Sequence, residues 1–188
     1  LLDIAHVEGF NRSAQDVTIA RLLQFGLAPA LKQNFEEIQR APYLIQMLLT
    51  EINREGGAEF FRVNYDGYWE TFKKGTVIAG DSKVCERIQK EIDNTDFASL
   101  SLDKALQSAL RLWEEGRKKV ESEKDAESSS DDDDQDEEES EKLPATLKEA
   151  FDRWNLEAAV LSRNTQRKCL YRLLTEQEIT TLESAVTQ

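Results

Sequence analysis

EFFRVNYDGYWETFKKGTVIAG, residues 59 to 80, decides the architecture. Phe61, Val63 and Tyr65 alternate with Phe60, Arg62 and Asn64, the period-two pattern of a strand with one buried face. Asp66-Gly67 interrupts the pattern, and because both residues tolerate positive φ the dipeptide marks a two-residue hairpin turn. YWETFKKGTVIAG, residues 68 to 80, then reads as the return strand. Upstream, YLIQMLLTEI, residues 43 to 52, is short and lies between Pro42 and the Gly56-Gly57 turn, which predicts a buried strand. Residues 43 to 80 are therefore expected to form a three-stranded antiparallel unit with Phe61, Val63 and Tyr65 on its core face.

The segment before this unit has helical spacing. Ser13 and Asp16 are possible N-caps, and Ala20, Leu23, Leu27, Leu31, Phe35 and Ile38 recur three or four residues apart. Pro29 lacks the amide hydrogen that an interior helical turn uses, so a kink or break is expected there, and Pro42 is expected to end the helix. Behind the strands, Val84, Ile88 and Ile92 lie four apart on one face of a helix over Ser82 to Asp93. Ser101 begins a second helix through Trp113, with Ala105, Ala109 and Trp113 inward and Gly116 near its exposed end. LEAAVLS (156 to 162) and RKCLYRL (167 to 173) read as a hairpin, and TEQE (175 to 178) is a capping box for a last helix. Strands and helices in separate blocks predict an α+β fold, with an antiparallel sheet layered with helices, and not a parallel βαβ repeat.

The 188 residues suit one well-packed domain, and the net charge of −13 is unevenly spread. Residues 121 to 142 (ESEKDAESSSDDDDQDEEESEK) hold 13 acids and 2 bases, leaving 24 acids and 22 bases elsewhere. The rest of the chain is thus nearly neutral and offers no basic stripe for nucleic acid. So dense a charge run cannot bury enough apolar area to offset chain entropy and reads as a solvated, disordered loop. The expected organisation is one domain: residues 1–120 form its first part, 121–142 the acidic loop, and 143–188 a closing hairpin and helix. Tyr43 to Leu49, the longest apolar run, is broken by Gln46 and falls far short of the roughly 18 residues that cross a bilayer. LLDIAHVEGF lacks the basic and apolar regions of a signal peptide, which points to a soluble, cytoplasmic protein. The sequence starts at Leu1, and the natural chain is expected to begin further upstream.

No residue pattern argues for catalysis. His6 is the only histidine, and nothing around it marks a nucleophile. Cys85 and Cys169 stand outside any CxxC arrangement and read as reduced, structural thiols. No GxGxxG, GxxxxGK[ST] or HExxH occurs, so no cofactor, nucleotide or catalytic metal is expected from motifs. Gly80-Asp81-Ser82 opens a helix; an anion site there competes with simple capping, the commoner use of such residues. Trp69, Trp113 and Trp154, with Phe60, Phe61 and Tyr65, sit at apolar-face positions that suit packing better than stacking on bases.

Function enters through resemblance. GFNRSAQDVTIARL (9 to 22) resembles the stretch leading into the long helix of proteasome α-type subunits, closest to the bacterial kind, and Ala41-Pro42-Tyr43 opening a strand is similar to the same family. FFRVNYDGYW (60 to 69) resembles that family's strand-turn-strand element with an aromatic-Asp-Gly turn. LEAAVLSRNTQRKCLYRLLTEQEITTL (156 to 182) resembles its closing hairpin and helix. The elements agree with the family in order and spacing over nearly the whole chain. Two features depart from it: the family's N-terminal helix and first strands would lie upstream of residue 1, and residues 121 to 142 form a longer, more acidic insertion.

The resemblance implies a four-layer αββα sandwich of the N-terminal-nucleophile hydrolase type. It also implies a non-catalytic subunit: seven copies form a ring that stacks on proteasome β subunits, gates substrate access and docks a ring-shaped ATPase or other activator. In the catalytic relatives an N-terminal Thr is nucleophile and its own amine is the base. Leu1 stands at that end here, and Thr18, Thr50 and Thr71 are internal and carry no free amine. Two alternatives remain at this stage. One is a β-type or HslV-like threonine peptidase whose catalytic N-terminal part lies upstream; the other is an acidic binding adapter working through residues 121 to 142.

Overall fold

The computed structural model describes residues 1–13, 16–39, 41–127, 144–166 and 169–187, with the backbone alone for 118–127. It has mixed α and β structure with small sheets, in two compact units, Leu1–Gly80 and Asp81–Gln188. The division falls at Gly80, whereas the charge pattern sets the boundaries of a single domain at residues 121 and 142.

The first unit opens with helix α1 (Leu2–Asn11), which the apolar spacing did not announce. It lies against the next helical segment at Gly26, where an added Cβ would stand 2.8 Å from Ile4 Cδ1. The absence of a side chain at Gly26 therefore sets how closely the two segments approach. Arg21 Nε donates to Glu8 Oε2 at 2.9 Å across this contact. That bond holds the Glu8 carboxyl below its usual range.

The long amphipathic helix is built in three pieces: α2 (Ile19–Leu22), a π-helical turn (Leu23–Leu27) and α3 (Ala28–Glu36). Its N-cap is Thr18, not Ser13 or Asp16: Thr18 Oγ1 accepts the Arg21 amide at 3.3 Å. The Ile19 amide donates to Glu51 Oε2 at 2.8 Å, which ties the helix start to the first strand. Pro29 brings about the expected irregularity. With no N–H to give, it sits in the first turn of α3, where the missing bond costs little, and the turn before it widens. The helix ends at Glu36, short of Pro42. Ile38, expected on its buried stripe, is fully exposed, and Phe35 is 45% exposed.

Strands β1 (Met47–Ile52), β2 (Ala58–Val63) and β3 (Trp69–Phe72) form an antiparallel meander in the order β1-β2-β3. Register pairs Leu49 with Phe61 and Met47 with Val63, and Val63 with Trp69. These side chains share one face, which packs on the helix. Leu23, Leu31, Phe61 and Val63 form the core, flanked by Ile19, Ala20, Leu27, Met47, Leu49 and Trp69. Phe61 and Val63 are completely buried, each contributing on the order of 2 kcal/mol of transfer free energy. Strand β1 begins at Met47, so residues 43–46 are not in the sheet, and β3 stops at Phe72.

The two turns of the meander are alike. Gly56 N donates to Asn53 O at 2.9 Å and Asn53 N to Gly57 O at 2.8 Å; Gly67 N donates to Asn64 O at 3.0 Å and Asn64 N to Tyr68 O at 2.8 Å. Gly56 and Gly67 have φ of 87° and 82°, and no non-glycine residue among those described has positive φ. The expected two-residue turn at Asp66-Gly67 is therefore a three-residue loop, with a turn over Tyr65-Asp66 and Gly67 alone in the left-handed region. Tyr65 leaves the core face because it belongs to this loop; it is exposed and meets Phe35 with ring centroids 5.3 Å apart.

The second unit contains α4 (Ser82–Asn94), a short 3-10 turn (Phe97–Ser99), α5 (Leu102–Glu127), α6 (Leu147–Arg153), β4 (Ala159–Leu161), β5 (Tyr171–Leu173) and α7 (Glu176–Val186). Val84, Ile88 and Ile92 are buried, as their spacing predicts. They meet α5 at Gly116, which is buried and not at an exposed helix end: an added Cβ would stand 2.6 Å from Ile88 Cδ1. Ala109, expected inward, is exposed, while Ala105 and Trp113 are half-buried.

Helix α5 continues through Glu121–Glu127, the opening of the stretch read as an acidic loop; residues 128–142 lie outside the described residues. Helix α6 lies outside the elements the apolar spacing predicts, although Thr146 and Glu149 have capping-box spacing. Glu149 N donates to Thr146 Oγ1 at 3.3 Å, and Leu147 N donates to Glu114 Oε1 of α5 at 3.1 Å. Strands β4 and β5 pair antiparallel, Val160 opposite Arg172, within the expected hairpin segments.

Candidate functional site

The start of α7 has the most constrained polar geometry. Thr175 and Glu178 form the expected capping box: Glu178 N donates to Thr175 Oγ1 at 3.3 Å, and Thr175 N donates to Glu178 Oε2 at 2.8 Å. Arg172, on β5, adds what the sequence did not reveal, a two-pronged bond in which Nη1 and Nη2 each reach a Glu178 carboxylate oxygen at 2.9 Å. The Arg172 bonds, followed by those from Thr175, hold the Glu178 carboxyl down to about 2. Glu178 is thus ionised at neutral pH and fully engaged, which suits locking the hairpin to α7 and not donating a proton in catalysis.

Beside this lock, α5 and α7 bound an open cleft of about 310 Å³. Leu106, Leu174 and Leu182 form its apolar floor, and Asp103, Gln107 and Thr181 stand among its polar lining. The buried Leu174 and Leu182 join the floor to the core of the unit. The lining provides hydrogen-bonding and apolar contact for a bound group, and within it the Thr175 hydroxyl donates to Glu178 Oε2 at 3.0 Å as part of the helix cap.

The residues singled out by sequence are dispersed. His6 is exposed on α1, Cys85 is half-buried on α4 and Cys169 is exposed ahead of β5. Among the described residues no three His, Cys, Asp or Glu side chains are grouped to hold a metal ion. Thr18 caps α2, Thr50 Oγ1 donates to Glu59 O at 3.0 Å, and Thr71 is exposed on β3. Asp81 caps α4, its Oδ1 accepting the Lys83 amide at 2.7 Å, so the Gly80-Asp81-Ser82 segment performs the capping role. Trp69 joins the core of the first unit. Trp113 and Trp154 meet edge to face with centroids 6.4 Å apart, fastening the end of α6 to α5. Phe60 lies on the other face of the sheet opposite Phe72, over which the Arg62 guanidinium stacks at 5.0 Å.

Exposed apolar surface is the larger feature. In the first unit Phe35, Ile38, Tyr43, Leu44 and Tyr65 are exposed, and Phe35 meets Tyr65 of the β2–β3 loop. Gln46 Nε2 donates to Asn64 Oδ1 at 3.1 Å and the Tyr43 amide to Asn34 Oδ1 at 2.8 Å, pinning the 43–46 segment beside that loop. In the second unit Leu170, Tyr171 and Leu173 are exposed on or beside β5. Exposed apolar groups mark contact surfaces where they are contiguous. No helix among the described residues is long and apolar enough to cross a membrane. Comparison of the chain with protein-family models and with curated proteins finds no match to either.

Proposed function

We infer that this chain is a non-catalytic, α-type subunit of a 20S proteasome of the bacterial kind. In this reading it folds as part of a four-layer αββα sandwich, assembles as a seven-membered ring on proteasome β subunits, gates access to their chambers and receives a ring-shaped ATPase activator, all in the cytoplasm. The observation that carries the reading is the order of elements. After α1, an amphipathic helix runs into a three-stranded meander, two packed helices and the short α6 follow, and a hairpin then leads into a capped helix. Apart from α1 and α6, this is the order on which the resemblance of residues 9–22, 60–69 and 156–182 rests. The exposed apolar groups around Tyr43 and Tyr65 support it as well, since a ring subunit requires large contact surfaces.

Native mass spectrometry tests the reading. The expected species, alone or with a β-type partner, contains seven copies of the 21.5 kDa chain, and the chain alone cleaves no fluorogenic peptide. Peptide hydrolysis by the homogeneous chain, abolished by a reagent for N-terminal threonine, would replace this reading with the peptidase one.

A further inference from the structure

Asp66-Gly67 is the only aspartate–glycine pair in the sequence. Such a pair can close on itself, because no Cβ on the second residue shields its amide nitrogen. The Gly67 nitrogen bonds to Asp66 Cγ, one carboxyl oxygen leaves as water with the amide proton and one acid proton, and a five-membered imide results. Water then opens the ring. Attack at Cγ restores the aspartate, whereas attack at the α-carbonyl leaves an isoaspartyl link that runs through Cβ and Cγ. Nothing is oxidised or reduced, and water is the only co-reactant.

The folded loop engages both reacting groups elsewhere. Gly67 N donates to Asn64 O at 3.0 Å, and Asp66 Oδ1 accepts the Tyr68 amide at 2.9 Å, one residue beyond the nitrogen that would attack its carboxyl. Gly67 is itself seated: an added Cβ would collide with Ala28 O and lie 3.1 Å from Lys32 N of α3. Ring closure therefore requires a local opening in which both bonds are given up.

We propose that Asp66 is a site of isoaspartate formation that the folded β2–β3 loop keeps closed, so that the reaction proceeds only through opening of this loop and is not undone when the loop closes. The second half follows from chain length. An isoaspartyl link adds one atom to the main chain between Asn64 and Tyr68, and the Asn64 N to Tyr68 O bond of 2.8 Å spans that loop. The lengthened loop no longer fits both that bond and the Gly67 seat on α3, so the modified tip stays displaced. Asp81-Ser82 is the nearest competitor, since serine is also small. There the Asp81 carboxylate receives the Lys83 and Val84 amides at the start of α4, and the Ser82 side chain shields its own nitrogen. The chemistry does not rest on the ring reading.

Ageing the full chain at neutral pH and body temperature, in buffer and in concentrated guanidinium chloride, tests this. Isoaspartate is located by peptide mapping and counted by methylation with an isoaspartyl methyltransferase. In denaturant, residue 66 should lead every other aspartate; in buffer its rate should fall at least about tenfold. Phe61→Ala, which loosens the meander, should bring the buffer rate back toward the denaturant rate. Asp66→Glu should remove the signal, because the six-membered ring closes far more slowly. Modified chain returned to buffer should leave the Gly67 amide open to hydrogen exchange, while unmodified chain refolded beside it regains protection. Equal rates in buffer and denaturant overturn the proposal, as does a denaturant reaction led by another aspartate or absent at residue 66. Full protection of Gly67 in the refolded, modified chain overturns it as well.

Discussion

The two sheets are both antiparallel, yet they are held in different ways. In the β1–β3 meander, alternate side chains bury Phe61 and Val63 completely against a helix, and two Asn-x-x-Gly loops set the register at both ends. In the β4–β5 hairpin no strand residue is fully buried; Tyr171 and Leu173 are exposed, and the main anchor is polar, the Arg172–Glu178 bond to α7. Period-two patterning thus yields a core only where a partner layer covers one face. Where none does, caps and ion pairs position the strands, and the apolar side chains are left for contact.

The sharpest break of this contrast is Phe61→Ala. Emptying the centre of the meander should cost about 4 kcal/mol. Trp69, the only tryptophan of the first unit, reports its unfolding in denaturant, while Trp113 and Trp154 report the second. A loss below about 1.5 kcal/mol would show that Phe61 is not enclosed.

Gly67→Val comes next, at about 3 kcal/mol, because two costs coincide. The residue has φ of 82°, and its Cβ would collide with Ala28 O while lying 3.1 Å from Lys32 N, both backbone atoms of α3. Gly56→Ala, in the matching loop, carries the left-handed strain and should cost only about 1 kcal/mol. Equal losses at the two positions would mean that the hairpin tip does not rest on α3.

In the second unit, Gly116→Val should cost about 1 to 2 kcal/mol. The Cβ meets Ile88 Cδ1 at 2.6 Å, but that atom is the far end of a flexible side chain and can yield. A change below about 0.5 kcal/mol would place α4 further from α5.

Acid titration probes the polar anchor. The folded carboxyl of Glu178 lies near 2 and its ordinary value is 4.5, so its contribution is complete above about pH 4.5 and is lost as pH falls toward 2. Glu178→Gln should therefore lower the stability of the second unit at pH 7 and converge on the parent protein near pH 2. A difference independent of pH would separate the effect from the ion pair.

The smallest effect is expected at Leu173→Ser. This residue is 61% exposed, so the change should stay within about 0.5 kcal/mol while reducing any self-association that uses the hairpin face. A larger loss would mean that the face is covered.

What the sequence determined by itself was what local spacing encodes. The alternation through Phe61 and Val63, the 84-88-92 stripe, the Thr175–Glu178 box and the pairing of 156–162 with 167–173 depend on residues within a few positions of each other or on one short turn. Capping at Asp81 was legible for the same reason. Tertiary structure decided whatever depends on a distant neighbour. Tyr65 left the core because Gly67 seats the loop on α3, Gly116 is buried because α4 crosses it, and the helix begins at Ile19 because Glu51, far along the chain, accepts its amide. The Thr146–Glu149 spacing is a local signal for α6. Arg172 gave no such signal: a bidentate bond needs the strand and the helix brought together, and spacing in the chain does not specify how they meet.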